Sequence, residues 1–430
     1  MNRFTSIAST KHLWSVLTLL LMCIPLAEAQ ITHTSYLPTQ GVPLLTGVSF
    51  SQGDFIGSRR PDFVLSGRLP GGAISTRLYE SLGEQIITNT PPQEDQCQLF
   101  FNASPTALPQ VWLGDVKLVN ISGGDRDDLL VVGAQATEAP YNPTGRMFVS
   151  SSGALAPGPL LPAVYNATLA VDGELVAISG NTGSGLVLDV LRFVPGTSPR
   201  TTRLDTEVQL PGLELAALAL ATEMDGTLVL VASGIGDEDG VPVARHYRRA
   251  AGETAFREMP TTNLPPLYNG SAFLEDLNED GLLDLFISGS RYGPHFIEGT
   301  TSVLFGTPNG TFQPSGLDFP QVAEPVIDVQ DHNSDGHLDL LLSGLEGSPL
   351  DAVGVYYVYD GDGTGEFSLY AKGPAPYGGD GGWIDGNRRG DLEIMLAGTF
   401  GGSPVFQAYV GRRDPPPLPN FPLIGCPPYY

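Results

Sequence analysis

The sequence predicts an all-β protein assembled from a repeated unit of short antiparallel strands. Three observations carry this expectation. Of 430 residues, 53 are Gly and 37 are Pro, a density of punctuation that long helices do not tolerate. Beyond the N-terminal segment the apolar runs are four to six residues long and framed by Gly, which is the length and framing of strands. The same kind of run recurs along the chain and closes each time on a glycine, at Gly67, Gly133, Gly180, Gly234, Gly289, Gly344 and Gly398.

The closing glycines are spaced 66, 47, 54, 55, 55 and 54 residues apart, so the chain divides into seven units. The long first spacing reflects an insertion of about eleven residues in the Pro-rich stretch 82–96. Two units superpose closely: DLNEDGLLDLFISG (276–289) and DHNSDGHLDLLLSG (331–344). Weaker copies are DFIGSRRPDFVLSG (54–67), NISGGDRDDLLVVG (120–133) and DGNRRGDLEIMLAG (385–398), and two units keep only the apolar run and its glycine, ELVAISG and LVLVASG. After the closing glycine comes a loop, a strand such as SVLFG (302–306), a turn, and an apolar position such as Phe312. Each unit therefore reads strand, acidic loop, strand, loop, strand, turn, strand. Four short antiparallel strands per unit make a propeller blade, and seven lies within the range that closes into a ring. The expected fold is a seven-bladed β-propeller spanning residues 30–410. The last unit lacks a fourth strand before the Pro-rich tail 411–430, and residues 33–38 stand where a fourth strand stands elsewhere, eighteen to twenty residues before an acidic loop. The N-terminal strand is thus expected to complete the last blade and close the ring.

The first 29 residues are a separate element. Arg3 and Lys11 precede an apolar run from Leu13 to Leu26, followed by Ala27-Glu28-Ala29. This is the layout of a secretory signal peptide cut after Ala29. The run has about fourteen residues, whereas a membrane span needs about twenty. Met22 is bulkier than the residue a lipoprotein site wants before its cysteine, Cys23. No later stretch is long enough to span, so the mature chain is expected outside the cytoplasm, secreted or periplasmic. Removing Arg3, Lys11 and Glu28 leaves 20 basic and 46 acidic side chains, a net charge of −26 against −25 for the whole chain. With no basic run longer than two residues, a nucleic-acid partner is excluded. Cys97 and Cys426 remain. An even pair in an oxidising compartment is read as one disulfide, with two separate buried thiols as the alternative.

The acidic loops carry the chemistry. Oxygen ligands at positions one, three, five, seven (a backbone carbonyl) and nine can wrap a hard cation, and Gly at six permits the sharp turn. Two loops meet the whole pattern: Asp276, Asn278, Asp280, Leu282, Asp284, and Asp331, Asn333, Asp335, His337, Asp339. A weaker set is Asp385, Asn387 and Glu393, where Arg389 stands at a ligand position. The ion that suits such loops is Ca2+; the loops have no Cys and few His, which disfavours zinc, and His332 and His337 read as solvated. Position twelve is Ile287 or Leu342 rather than Glu, so these are hairpin loops and not EF-hands. The alternative is an Asx-rich turn without metal.

These loops and the sevenfold period resemble the FG-GAP and VCBS-type repeats, the blades of the integrin alpha-subunit propeller and of many secreted bacterial proteins. The resemblance covers roughly residues 31–410, and Phe305-Gly306 matches the Phe-Gly part of the name motif while the Gly-Ala-Pro part is absent. It implies a seven-bladed propeller holding Ca2+ in the hairpin loops of some blades.

The mature chain has five His, at 33, 246, 295, 332 and 337, none in a Ser-His-Asp, HExxH or GxSxG setting. The expected function is therefore a non-catalytic scaffold for protein binding or adhesion, a monomer whose partner is an extracellular protein or glycan. The alternative is a carbohydrate-binding, lectin-like propeller, in which Trp112 and Trp383 either stack on sugar rings or fill blade cores. A secreted glycan-active enzyme is the third reading, because blades can place two acids about a channel.

Overall fold

The computed structural model describes Thr34–Ser35 and residues 42–410, apart from 56, 58–60, 88–95, 152–153, 197–202, 238–239, 293–296, 348–350 and 386–391. The described residues form strands and connecting turns, with no helix. Besides β1 (Thr34–Ser35), the first sheet is β2 (Thr46–Gly53), β3 (Asp62–Arg68), β4 (Ile74–Ile87) and β5 (Gln96–Ala103). A ten-stranded sheet follows: β6 (Trp112–Val119), β7 (Asp128–Ala134), β8 (Pro143–Ser151), β9 (Ala154–Asp172), β10 (Leu175–Asn181), β11 (Leu186–Val194), β12 (Arg203–Thr222), β13 (Leu228–Gly236), β14 (Pro242–Arg249) and β15 (Arg257–Glu258). Two four-stranded sheets come next, β16 (Tyr268–Glu275) to β19 (Phe312–Pro314) through β17 (Asp284–Tyr292) and β18 (Ile297–Gly306), and β20 (Val322–Gln330) to β23 (Phe367–Pro374) through β21 (Asp339–Glu346) and β22 (Val353–Gly361). The last sheet is β24 (Tyr377–Ile384), β25 (Glu393–Phe400) and β26 (Ser403–Val410), and β1 is its fourth strand, with Thr34 opposite Val410 and Ser35 opposite Tyr409. All pairings are antiparallel, as the repeat predicts.

The ten-stranded sheet differs from the expected separate blades. β9 pairs β8 through its first half and β10 through its second, and β12 does the same between β11 and β13. Elsewhere the fourth strand and the next inner strand are separated by Pro-containing loops such as 104–111 and 259–267. Within β9 and β12 no such loop intervenes, so the backbone passes from one unit to the next as strand.

The closing glycines have a common cause. Each inner strand begins with a bulge at which the ladder register shifts, as between Trp112 and Asp115 or Tyr377 and Asp380. One residue of each bulge is left-handed: Gly47, Leu113, Asn166, Leu215, Asn269, Glu324 and Gly378, with φ between 46° and 64°. The bulge pushes inner-strand backbone against the second strand. A Cβ on Gly344 would lie 2.7 Å from the Ala323 carbonyl oxygen, and one on Gly398 2.6 Å from that of Tyr377. Only glycine fits opposite the bulge.

The second strands β3, β7, β10, β13, β17, β21 and β25 are buried along nearly their whole length. They are covered by other sheets on both faces, which is why their sequences are continuous apolar runs rather than alternating ones. Side chains of successive sheets interdigitate, as where Ala217 and Val231 meet Leu285 and Ile287. The first sheet packs on the last through Phe50, Phe63, Tyr79 and Phe101 against Ile384, Met395 and Phe406, with Phe63 and Phe406 rings 5.8 Å apart. The succession of sheets thus returns on itself, a β-propeller-like arrangement.

Candidate functional site

The inner strands β2, β6, β9, β12, β16, β20 and β24 surround a central cavity of about 910 Å3. Six carboxylates, Asp115, Asp172, Glu275, Glu324, Asp328 and Asp380, and one ammonium, Lys117, line it, and Asp115, Asp328 and Asp380 are the ones whose charges act on Lys117. Inner strands of neighbouring sheets share no ladder, so their amides need acceptors across the gap. Asp115 on β6 accepts the Ser49 hydroxyl and the Leu169 amide, each at 2.9 Å. Asp380 on β24 accepts the Phe50 amide at 2.9 Å, and Asp328 on β20 accepts the Trp383 amide at 2.8 Å. Ser49 and Ser51 hydroxyls accept the Val116 and Leu118 amides in the same way. These bonds join strands more than fifty residues apart in sequence and fix the carboxylates rigidly at the cavity wall.

The electrostatics are uneven. Burial pushes the Asp380 carboxyl up to about 6, with nearby Asp115 adding to the rise and Lys117 and the Phe50 amide opposing it. Burial likewise raises Asp328, against the Trp383 and Val329 amides. The Lys117 ammonium stands 3.9 Å from Asp115 Oδ1. Asp115 raises its pKa, with further help from Asp380 and Asp328, against the cost of burial. About a third of the Lys117 side chain, 37%, stays exposed. None of these four was singled out as a site in the sequence. One signal was available: Asp115 and Asp380 each stand eighteen residues before the closing glycine of their unit, Gly133 and Gly398.

A second cavity, about 750 Å3, is lined by Glu174, Arg192, Glu207 and Arg249 among others. Burial opposes ionisation of Glu207, but hydrogen bonds from Arg192 and Arg249 hold its carboxyl below the ordinary range. Glu174, Glu207, Arg192 and Arg249 are thus paired with one another.

The two complete acidic loops fold alike. Asp276 accepts the Asp280 and Gly281 amides at 3.1 and 2.8 Å, and Asp331 accepts those of Asp335 and Gly336 at 3.1 and 2.9 Å. Asn278 and Asn333 accept the amide of the residue two further on, as do Asp280 from Leu282 and Asp335 from His337. The ninth residues behave differently from the rest. Asp284 and Asp339 are fully buried. Each accepts the amide of the loop's second residue and that of a third-strand glycine, Gly306 or Gly361. Asp128 makes a related anchor, accepting the amides of Ser122, the third residue of its loop, and of Ser150 on the third strand. Burial raises Asp284 to about 6, although the two amides oppose the shift.

His337 is paired with Glu279 of the neighbouring loop, Nδ1 to Oε1 2.6 Å. His332 is not solvated, contrary to expectation. Its side chain is 10% exposed, Nε2 lies 2.8 Å from Asp360 Oδ1, and its ring stacks on Trp383 at 4.8 Å and 4°. Trp383 is therefore a core residue. Trp112 is half-buried, donates to the Ala136 carbonyl at 2.9 Å and lies under the Arg68 guanidinium. In the weaker loop Glu393 is buried, while Asn387 and Arg389 lie outside the described residues. So do the signal segment, the tail 411–430 and Cys426; Cys97 is on β5. No helix among the described residues is long and apolar enough to cross a membrane.

No protein-family model matches the chain, and no characterised protein matches it in sequence. The FG-GAP and VCBS resemblance therefore rests on its residues alone. Among solved structures the chain is similar to AofleA from Arthrobotrys oligospora (11% identity, 80% of this chain and 91% of that one, TM-score 0.40). It is also similar to an α-L-arabinanase of Penicillium chrysogenum complexed with arabinobiose (11%, 76% and 98%, TM-score 0.43). A third is an α-L-arabinofuranosidase from Fusarium graminearum with an iminosugar inhibitor (10%, 89% and 98%, TM-score 0.38). A likeness of that degree assigns neither activity nor substrate. The expectation of a non-enzyme is nevertheless corrected here. It rested on the absence of a catalytic sequence motif, and carboxylates contributed by separate units to one cavity leave no such motif.

Proposed function

We propose that this chain is an exported, seven-bladed β-propeller that takes a carbohydrate into its central cavity and hydrolyses a glycosidic bond there. The observation that carries the proposal is the cavity itself, in which Asp115, Asp328 and Asp380 stand with Lys117. Cleavage of a glycosidic bond needs one carboxyl group that is protonated near neutral pH and one carboxylate. Asp380, lifted to about 6, is suited to protonate the leaving oxygen. Asp115, held by Ser49 and Leu169, is the carboxylate partner. Lys117 and Asp328 donate and accept hydrogen bonds to sugar hydroxyls. The count of seven is supported by the inner strands that line the cavity and by the closing glycines; export is supported by the N-terminal apolar run.

The loops 276–284 and 331–339 suit Ca2+. Their exposed donors are carboxylate and amide oxygens, and each oxygen that accepts a loop amide keeps a lone pair. Asp276, Asn278, Asp280 and the Leu282 carbonyl would hold one ion, and Asp331, Asn333, Asp335 and the His337 carbonyl a second. Bound there, calcium would supply stability to the two hairpins and no chemistry.

The test is a panel of polysaccharides and aryl glycosides incubated with the secreted protein, beside a glycan array. Turnover of at least one substrate is expected, and Asp380→Asn and Asp115→Asn should each lower kcat by about 100-fold or more while the fold is kept. Glycan binding without turnover would remove the hydrolase. Neither binding nor turnover would overturn the proposal as a whole.

A further inference from the structure

The repeat allows one position to be compared across units. Where the ninth-position acid anchors the loop to the third strand, two further side chains flank it: the loop's second residue, and the residue before the third-strand amide donor. In one unit these are Ile121 and Val149, both in one apolar core. In another they are Leu277 and Phe305, again in one apolar core. In the unit of β20–β23 the same two positions are His332 and Asp360. Placing an imidazole and a carboxylate where these two sister units keep hydrocarbon costs desolvation.

The pair does not stand alone. His332 Nε2 is 2.8 Å from Asp360 Oδ1 and 3.7 Å from Asp339 Oδ2. One donor atom from each residue lies within 4.8 Å of the other two, and among the described residues this is the one such group of three. The exposed carboxylates of the acidic loops do not gather in this way. Asp339 is fully buried and Asp360 is 31% exposed, so the group has a fixed inner ligand and an open side toward solvent.

We propose that His332, Asp339 and Asp360 form a binding site for a borderline divalent metal of the zinc class, separate from the oxygen-only ligand set of the neighbouring loop. Metal–ligand bonds about 2 Å long place tetrahedral ligands about 3.3 Å apart, so the 2.8 and 3.7 Å separations bracket that edge, the two carboxylates close on the ion to complete three corners, and water from the open side takes the fourth. Asp339 Oδ2 already accepts the His332 amide at 2.9 Å. That bond orients the carboxylate and leaves a lone pair for the ion. Stacking on Trp383 holds the imidazole plane. Calcium, which avoids nitrogen, is disfavoured here. The site is independent of the glycan reading, and it uses the buried Asp339, which the calcium set of Asp331, Asn333, Asp335 and the His337 carbonyl leaves out.

Trp383 supplies the readout. The full-length secreted protein, stripped with chelator and returned to buffer containing millimolar Ca2+, is titrated with Co2+. About one equivalent should bind, with visible d–d absorption of a four-coordinate ion and quenching of tryptophan emission that survives Trp112→Phe. Zn2+ should displace it. His332→Leu and Asp360→Val restore the apolar pattern of the sister units and should weaken Co2+ binding by at least about tenfold, and the milder Asp360→Asn serves if those fail to fold. Absence of the d–d band in the unaltered protein would overturn the site and leave an ion pair. A band and quenching that persist unchanged in folded variants would place the metal elsewhere and overturn it equally.

Discussion

His246 shows how one residue sets a pH limit. It is fully buried, its two ring nitrogens have no hydrogen-bond partner among the described residues, and its ring lies 4.9 Å from Phe312, between two sheets. Burial, with nearby Arg248 adding, depresses its pKa from 6.5 to about 4. Between those values the unfolded chain binds a proton that the folded chain refuses. Stability therefore falls as pH drops from 6.5 toward 4 and the loss levels off below, in total about 3 kcal/mol. Asp380 acts in the opposite sense. Its raised carboxyl is charged at a cost above about 6, so acidification relieves it. The two are separable by substitution: His246→Phe should flatten the decline of melting temperature between pH 6.5 and 4, and a curve unchanged in slope would show that His246 does not govern it.

At the scale of the element, the hairpin between inner and second strands repays most attention. A short acidic loop leaves the inner strand, its ninth residue returns to the core, and a glycine meets the bulge. Many of the loop's own amides are satisfied by Asx side chains, so the loop's own residues brace its turn and calcium would add to that bracing. Extracellular sites with affinities of about 10⁻⁴ to 10⁻³ M contribute roughly 0.5–1.5 kcal/mol each at millimolar Ca2+. Melting with and without chelator should differ by several degrees, and Asp280→Ala should remove one bound ion in a calorimetric titration. Coincident melting curves would leave the loops as metal-free turns.

For the whole molecule the decisive contact is between its ends. β1 contributes two residues of pairing to β26, and the first and last sheets share one apolar core. Without β1 the backbone edge of β26 is open to other chains. Deletion of residues 31–36 should lower the melting temperature and promote self-association on heating. An unaltered melting temperature would assign closure to the Phe50–Phe63–Phe406 core alone.

Periodicity was enough to read strands, units and the end-to-end strand from the sequence, because burial between two sheets demands apolar runs and the bulge demands glycine, and both demands recur at a fixed interval. The acidic loops were legible for the same reason: their geometry is local, set by Asx side chains within nine residues. The central carboxylates were not, since Asp115, Asp328 and Asp380 come from separate units and meet only when the sheets return on themselves. His332 was misread as solvated because its surroundings, Asp360 and Trp383, lie 28 and 51 residues away in sequence. The left-handed Leu113, Leu215 and Glu324 also escaped notice, for the bulge that imposes their backbone arises from pairing and not from side-chain preference. Local and periodic features are written in neighbouring residues; charge environments depend on which distant side chains displace water, and that is decided by the closed tertiary structure.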